Sequence, residues 1–216
     1  MQSLKRSWAE VIQPEDYEKH MANVGQAQAN ASLTKDLIQH ARLPNGAKIL
    51  FAGAGPGQMF EFVDCAYLRP FTITFTDINP KFLERLKERA VAAGLQDFSV
   101  VLDDVESSEL EGPFNAVVFV LVLEHVDWRR ALAAFRPSAF VLIIQRNPEG
   151  MTTAVTPGRE RPSSMKRAED DEQPELLRQD ELTSFLEKLG YELKHEDYRP
   201  VADGKTMCGL VFGTRA

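Results

Sequence analysis

Three glycines at alternate positions, Gly53, Gly55 and Gly57, break the chain directly after the apolar run "ILFA". Glycine has no side chain to hold the backbone away from a ligand, so such a loop lets peptide N–H groups approach a bound molecule. Asp77 stands 24 positions after Gly53 (77 − 53), at the end of the next apolar run, "FTITFT". A carboxylate there can accept hydrogen bonds from both hydroxyls of a ribose. Ile78 beside it offers an apolar wall for a purine ring. Asp103 and Asp104, in "VVLDDV", follow a third run and can accept from the exocyclic amine of an adenine. Taken alone, each feature has a plainer explanation: a turn, a helix cap, a solvated strand end.

Acid–base candidates are few. His125, in "LEHVDW", follows a fourth apolar run, and its ordinary pKa near 6.5 suits a general base. A packing or helix-start histidine accounts for it equally well, and Glu124 carries the same two readings. Tyr17 and His20 belong to a helical N-terminal stretch that can fold over the site, or are plain surface and packing residues. His40 and His195 have no supporting context. Four scattered histidines and two isolated cysteines, Cys65 and Cys208, make no metal site.

Nicotinamide dinucleotide sites want G-x-G-x-x-G. Here the third glycine comes one position early and Gln58 stands where that fingerprint has Gly. Pro56 also removes an amide donor.

These residues need a scaffold that brings strand ends together. From Lys48 onward, strand and helix patterns alternate: "KILFA", a helix carrying Met59, Phe60, Phe62 and Val63, "FTITFT", "KFLERLKERAVAAG", "FSVVL", "FNAVVFVLV", "DWRRALAAF" and "AFVLIIQ". The strands are continuous apolar runs, as in a parallel sheet covered on both faces. Asn79 and Pro80 start one helix, and Gly94 ends it. The last two runs, "YELKHEDYR" and "TMCGLVFGT", are joined by "PVADGK", too short for a crossover helix, so they form an antiparallel hairpin. The expected fold is α/β: a doubly wound, Rossmann-like sheet of seven strands, mostly parallel, with helices on both faces. Residues 1–46 form an N-terminal helical cover and 47–216 the main domain. The polar stretch 151–178 reads as a mobile loop or lid.

Composition narrows the function. The chain has 216 residues and a formal net charge of −7, which disfavours a nucleic-acid binder. The longest apolar run, "AVVFVLVL", is far short of the ~20 residues a membrane span takes. The start is not a secretory signal, and the two distant cysteines fit a reduced cytoplasmic protein.

The chain resembles the class I S-adenosylmethionine-dependent methyltransferases. "ILFAGAGPG" resembles their glycine-rich first motif, "FTDINP" their acidic second-strand end, "VVLDDV" their adenine-contacting turn and "FNAVVFVLVLEHV" their fourth strand. The C-terminal hairpin matches their reversed last strand. The resemblance implies S-adenosyl-L-methionine as cofactor. Gly53, Ala54, Gly55 and Gly57 would flank its methionine part, and Asp77 would hold the ribose. Ile78 would pack on the adenine, Asp104 with the Val105 backbone would read its amine, and Leu121 would line the methionine side. The family often has an acidic residue two positions before the first glycine, where this chain has Phe51. No Asn/Asp-Pro-Pro-aromatic motif and no Pro-Cys pair is present, so DNA base methylation is not suggested. The expectation is a methyltransferase acting on a small molecule, with His125 as the candidate base. The alternatives are a non-catalytic protein that binds the adenosyl cofactor and an NAD-dependent oxidoreductase.

Overall fold

The computed structural model describes residues 2–152, 162–169 and 174–215. Seven strands form one sheet: β1 (Lys48–Ala52), β2 (Thr72–Asp77), β3 (Phe98–Leu102), β4 (Ala116–Val120), β5 (Ala139–Arg146), β6 (Tyr191–Pro200) and β7 (Thr206–Thr214). The order is β3-β2-β1-β4-β5-β7-β6. β1 to β5 run parallel, and β7 pairs antiparallel with both β5 and β6. The hairpin and the doubly wound sheet are therefore as the sequence implies. Strand order reverses between β1 and β4, and ligands in such sheets bind at that crevice.

Among the described residues eight α-helices pack around the sheet: α1 (Gln2–Arg6), α2 (Pro14–Asn23), α3 (Gln26–His40), α4 (Met59–Phe62), α5 (Pro80–Ala92), α6 (Trp128–Ala133), α7 (Ser163–Glu169) and α8 (Gln179–Lys188). A π-helical turn, Ser7–Val11, links α1 to α2. One core, with Leu33, Ile49, Phe75 and Val118, lies under α3 and α5. The other, with Leu50, Phe119, Trp128 and Leu186, lies under α6 and α8. Each fully buried side chain of this size contributes roughly 1.5–3 kcal/mol.

Three local expectations need correction. The helix after the glycines is a single turn, because the chain leaves helical geometry at Val63 and Asp64 starts a new 3-10 turn by accepting from Ala66 N at 2.8 Å. β4 stops at Val120, because Leu121 turns to a left-handed φ of 54°. β3 is a sheet edge, not a doubly covered strand, and Leu102 is 61% exposed there.

The N-terminal helices are tied down by long-range contacts. Asn79 caps α5 by accepting from Lys81 N at 3.0 Å, and its amide donates to the carbonyls of Trp8 and Ile12 at 2.9 and 3.0 Å. Much of the stretch 151–178 lies outside the described residues. Within it α7 docks on α2: Ser164 donates from N and Oγ to Asp16 Oδ2 at 2.9 and 2.5 Å, and Met165 packs by Ile12 and Phe82. Among the described residues no helix is long and apolar enough to cross a membrane.

Candidate ligand-binding site

The carboxyl ends of β1, β2, β3 and β4 meet at one cavity of about 670 Å3, counting its open mouth. Its floor is the glycine loop. All three glycines have left-handed φ, 69°, 63° and 74°. A side chain at Gly53 would place Cβ 2.6 Å from Val122 Cγ2, so this glycine lets the loop after β4 close on the loop after β1. Gly55 faces the cavity, with only Tyr17 Cε1 near, at 3.8 Å. Gly57 faces away: its Cβ would lie 3.1 Å from Leu86 Cα, so it seats the loop on α5 and does not line the cavity.

Asp77 fixes the loop. Its Oδ2 accepts from Gly55 N at 2.8 Å and its Oδ1 from Asn79 N at 2.9 Å. Burial pushes its carboxyl up to about 6, and the bonds from Asn79, Gly55 and Ile78 only partly offset that. Each carboxylate oxygen keeps a lone pair for a ligand hydroxyl. Arg89 holds the loop from behind, donating to Pro56 O at 2.8 Å while it pairs with Glu18 and Glu61.

Ile78, Asp103, Asp104, Val105 and Leu121 all line the same cavity, and Ala54 lines a second chamber behind the loop. The strained φ at Leu121, of a kind that costs about 1–3 kcal/mol, aims the post-β4 loop into the cavity. The two aspartates differ. Asp104 is engaged: Lys5 Nζ, Ser107 Oγ at 2.8 Å and Glu106 N at 3.1 Å all donate to it. Burial would raise Asp104, but these bonds outweigh it and hold the carboxyl below its usual range. Asp103 Oδ2 is buried without a partner among the described residues, and burial raises its carboxyl.

His125 is in the cavity wall, where Trp8 Nε1 donates to its Nδ1 at 3.3 Å and the rings meet edge-on at 4.7 Å. Burial pushes the imidazole down to about 4. It is therefore neutral at physiological pH, with its lone pair committed to the indole. Glu124 points away, accepting from Gln145 N at 2.9 Å, with Oε2 lacking a partner among the described residues. Tyr17 does reach the cavity, packed on Phe82 at 5.3 Å. Neither His40 nor His195 lines it; the two rings stack on each other at 3.7 Å elsewhere. Among the described residues no group of three or more His, Cys, Asp or Glu is placed to hold a metal ion.

Sequence reasoning missed Lys5, Trp8 and Phe82. Their one signal was a lone tryptophan among polar residues, which marks packing but not its partner.

Comparison with known proteins follows this geometry. Residues 49–142 match the family model of a methyltransferase domain. No curated protein matches the chain in sequence. Among solved structures, magnesium protoporphyrin IX methyltransferase from Synechocystis PCC 6803, with S-adenosylhomocysteine bound, is similar at TM-score 0.64 and 14% identity, over 88% of this chain and 84% of that one. A methyltransferase from Geobacter sulfurreducens, in complex with S-adenosylhomocysteine, is similar at TM-score 0.56 and 15% identity, over 85% and 91%. SpnF, a 4+2 cyclase, is similar at TM-score 0.65 and 14% identity, over 86% and 81%. At such identities these likenesses speak to the fold, and the cyclase among them shows that the fold alone does not fix the reaction. The family-model match covers less than half of the chain, and it spans the glycine loop, Asp77, the Asp103–Asp104 turn and the β4 end.

Proposed function

We propose that the chain transfers a methyl group from S-adenosyl-L-methionine to a small-molecule acceptor. The observation that carries this reading is the convergence of Gly53, Gly55, Asp77, Ile78, Asp103 and Leu121 on one cavity at the strand-order reversal. The residues fit an adenosyl group chemically. Asp77 offers acceptors to a ribose diol, Ile78 an apolar face to a purine, and Asp103 Oδ2 an unpartnered acceptor to its amine. Asp104 takes up that amine only if Lys5 releases it.

The bound cofactor supplies an electrophilic methyl group on a sulfonium. The chain's part is to hold and align it and to exclude water. The glycine loop and Leu121 frame the sulfur side, and the cover of 1–46, through Trp8 and Tyr17, closes the cavity from above. His125 removes a proton from the acceptor only after Trp8 withdraws from Nδ1. In its present contact it is a neutral wall residue, and the reading needs no base when the acceptor already presents a lone pair. The limited size of the cavity and the net charge of −7 favour a small acceptor over a nucleic acid. Free, buried Cys65 and Cys208 suit a reducing cytoplasmic setting.

The test is to incubate the protein with methyl-labelled cofactor and a cell extract split into small-molecule, protein and nucleic-acid fractions. Label is expected in the small-molecule fraction. Label confined to a macromolecular fraction contradicts the acceptor class. No label in any fraction, with the adenosyl ligands still bound, favours the non-catalytic alternative.

A further inference from the structure

A second chamber of about 610 Å3 lies behind the glycine loop, between that loop, the ends of β1 and β4, and helices α2 and α3. It shares Tyr17, Gly53 and Gly55 with the cavity described above, so the two are contiguous across the loop. Its walls include Met21, Ala31, Phe51, Met59 and Val118, and it has no charged side chain in its lining. Phe51 is 3% exposed and packs on Phe75 at 5.1 Å, so it gives the chamber a ring where superfamily members often carry a carboxylate.

One polar group in this wall lacks a partner. Asn30, on α3, is 6% exposed, and its Oδ1 is buried with no hydrogen-bond partner among the described residues. An orphaned buried acceptor is unfavourable, so a ligand donor that fills it binds more tightly for doing so. Helix α3 runs from Gln26 towards β1, and this places Asn30 in its first two turns, at the loop end of the sheet, beside Gly53 and Gly55 in the chamber wall.

On the adenosyl reading the amino-acid end of the ligand lies at the glycine loop, and we propose that Asn30 Oδ1, in this chamber wall, accepts a hydrogen bond from its ammonium group. The inference rests on the adenosyl reading above. A neutral amide on α3 then does what a carboxylate at position 51 would do from β1. A hydrogen bond to a charged donor is about twice as strong as a neutral one, so a single amide suffices to order the tail.

Two ligands separate this claim from the one it rests on. S-adenosylhomocysteine carries the amino-acid end, and methylthioadenosine lacks it. By calorimetry, wild type binds both, S-adenosylhomocysteine more tightly by about tenfold or more. Asn30→Leu removes the acceptor and keeps the bulk; it weakens S-adenosylhomocysteine by about tenfold and leaves methylthioadenosine within about twofold. Asn30→Asp keeps an acceptor, and it holds or tightens S-adenosylhomocysteine binding. The inference is overturned if Asn30→Leu binds S-adenosylhomocysteine as wild type does. It is also overturned if both ligands weaken together, which marks a packing residue. Loss of affinity in Asn30→Asp equal to that in Asn30→Leu overturns it too, because the amide then serves the ligand carboxylate through Nδ2. If wild type binds neither ligand, the adenosyl reading itself has failed.

Discussion

The floor and the roof of the cavity are built by different means. The floor, Gly53 to Asp77, is held by bonds to backbone N–H groups at the ends of two adjacent strands: Asp77 accepts from Gly55 N and Asn79 N, and Ala54 N donates to Thr76 O at 2.7 Å. The roof is held by side chains far apart in sequence: Trp8 on His125, Asn79 on Trp8 and Ile12, Lys5 on Asp104. On the proposed reading, the bonds of the floor can stay in place when a ligand enters, whereas the roof engages Asp104 and His125 and has to yield before either meets a ligand.

Predictions that separate floor from roof follow in order of size. The largest effect belongs to the floor. Gly53→Val forces a β-branched side chain into a left-handed φ and against Val122, and it is expected to cost at least about 1–3 kcal/mol in urea unfolding and to abolish adenosyl-ligand binding. Binding kept at wild-type strength would show that the loop is not the floor.

The next effect comes from the buried Glu124 between the two. Burial pushes its carboxyl up to about 7 from an ordinary 4.5, against bonds from Gln145 N and its own backbone. The folded chain therefore keeps a proton that the unfolded chain releases, and stability falls as pH rises between those values. Glu124→Gln is expected to lose less stability between pH 5 and pH 8 than wild type, by on the order of 2 kcal/mol in urea melts. A parallel pair of pH profiles would contradict this. His125 has the opposite sign: burial lowers it to about 4, so its contribution is lost as pH falls below 6.5, and the comparison of variant with wild type cancels it.

The smallest effect belongs to the roof. Lys5→Ala frees Asp104 and removes a half-exposed ion pair, so S-adenosylhomocysteine is expected to bind about twofold to fivefold more tightly at low salt. Added salt should close that gap. Weaker binding by Lys5→Ala would make Lys5 a ligand contact instead of a strap.

The same contrast explains what was legible in the sequence. Floor residues carry their own signals, because the strand pattern, the glycines and the Asn79 cap are each local, and one strand–helix–strand unit sets the Asp77 spacing. The hairpin was legible because six linking residues forbid a crossover. The roof was not legible, since nothing in "KRSWAEV" says that Trp8 will meet His125 across 117 positions. The end of β4 was misjudged because the apolar pattern continues through Leu121 and Val122 while the backbone turns. The Asp103–Asp104 pair was legible as a site but not as two different carboxylates, because the difference is made by Lys5.

The central claim is that Asp77, at the end of β2, anchors an adenosyl ligand. Calorimetry on wild type and Asp77→Ala, with S-adenosylmethionine, S-adenosylhomocysteine and NAD, tests it most directly. Wild type is expected to bind both sulfur ligands and not NAD, and Asp77→Ala to bind them at least about tenfold more weakly. Equal affinity in Asp77→Ala, or binding of NAD in place of the sulfur ligands, would contradict the account.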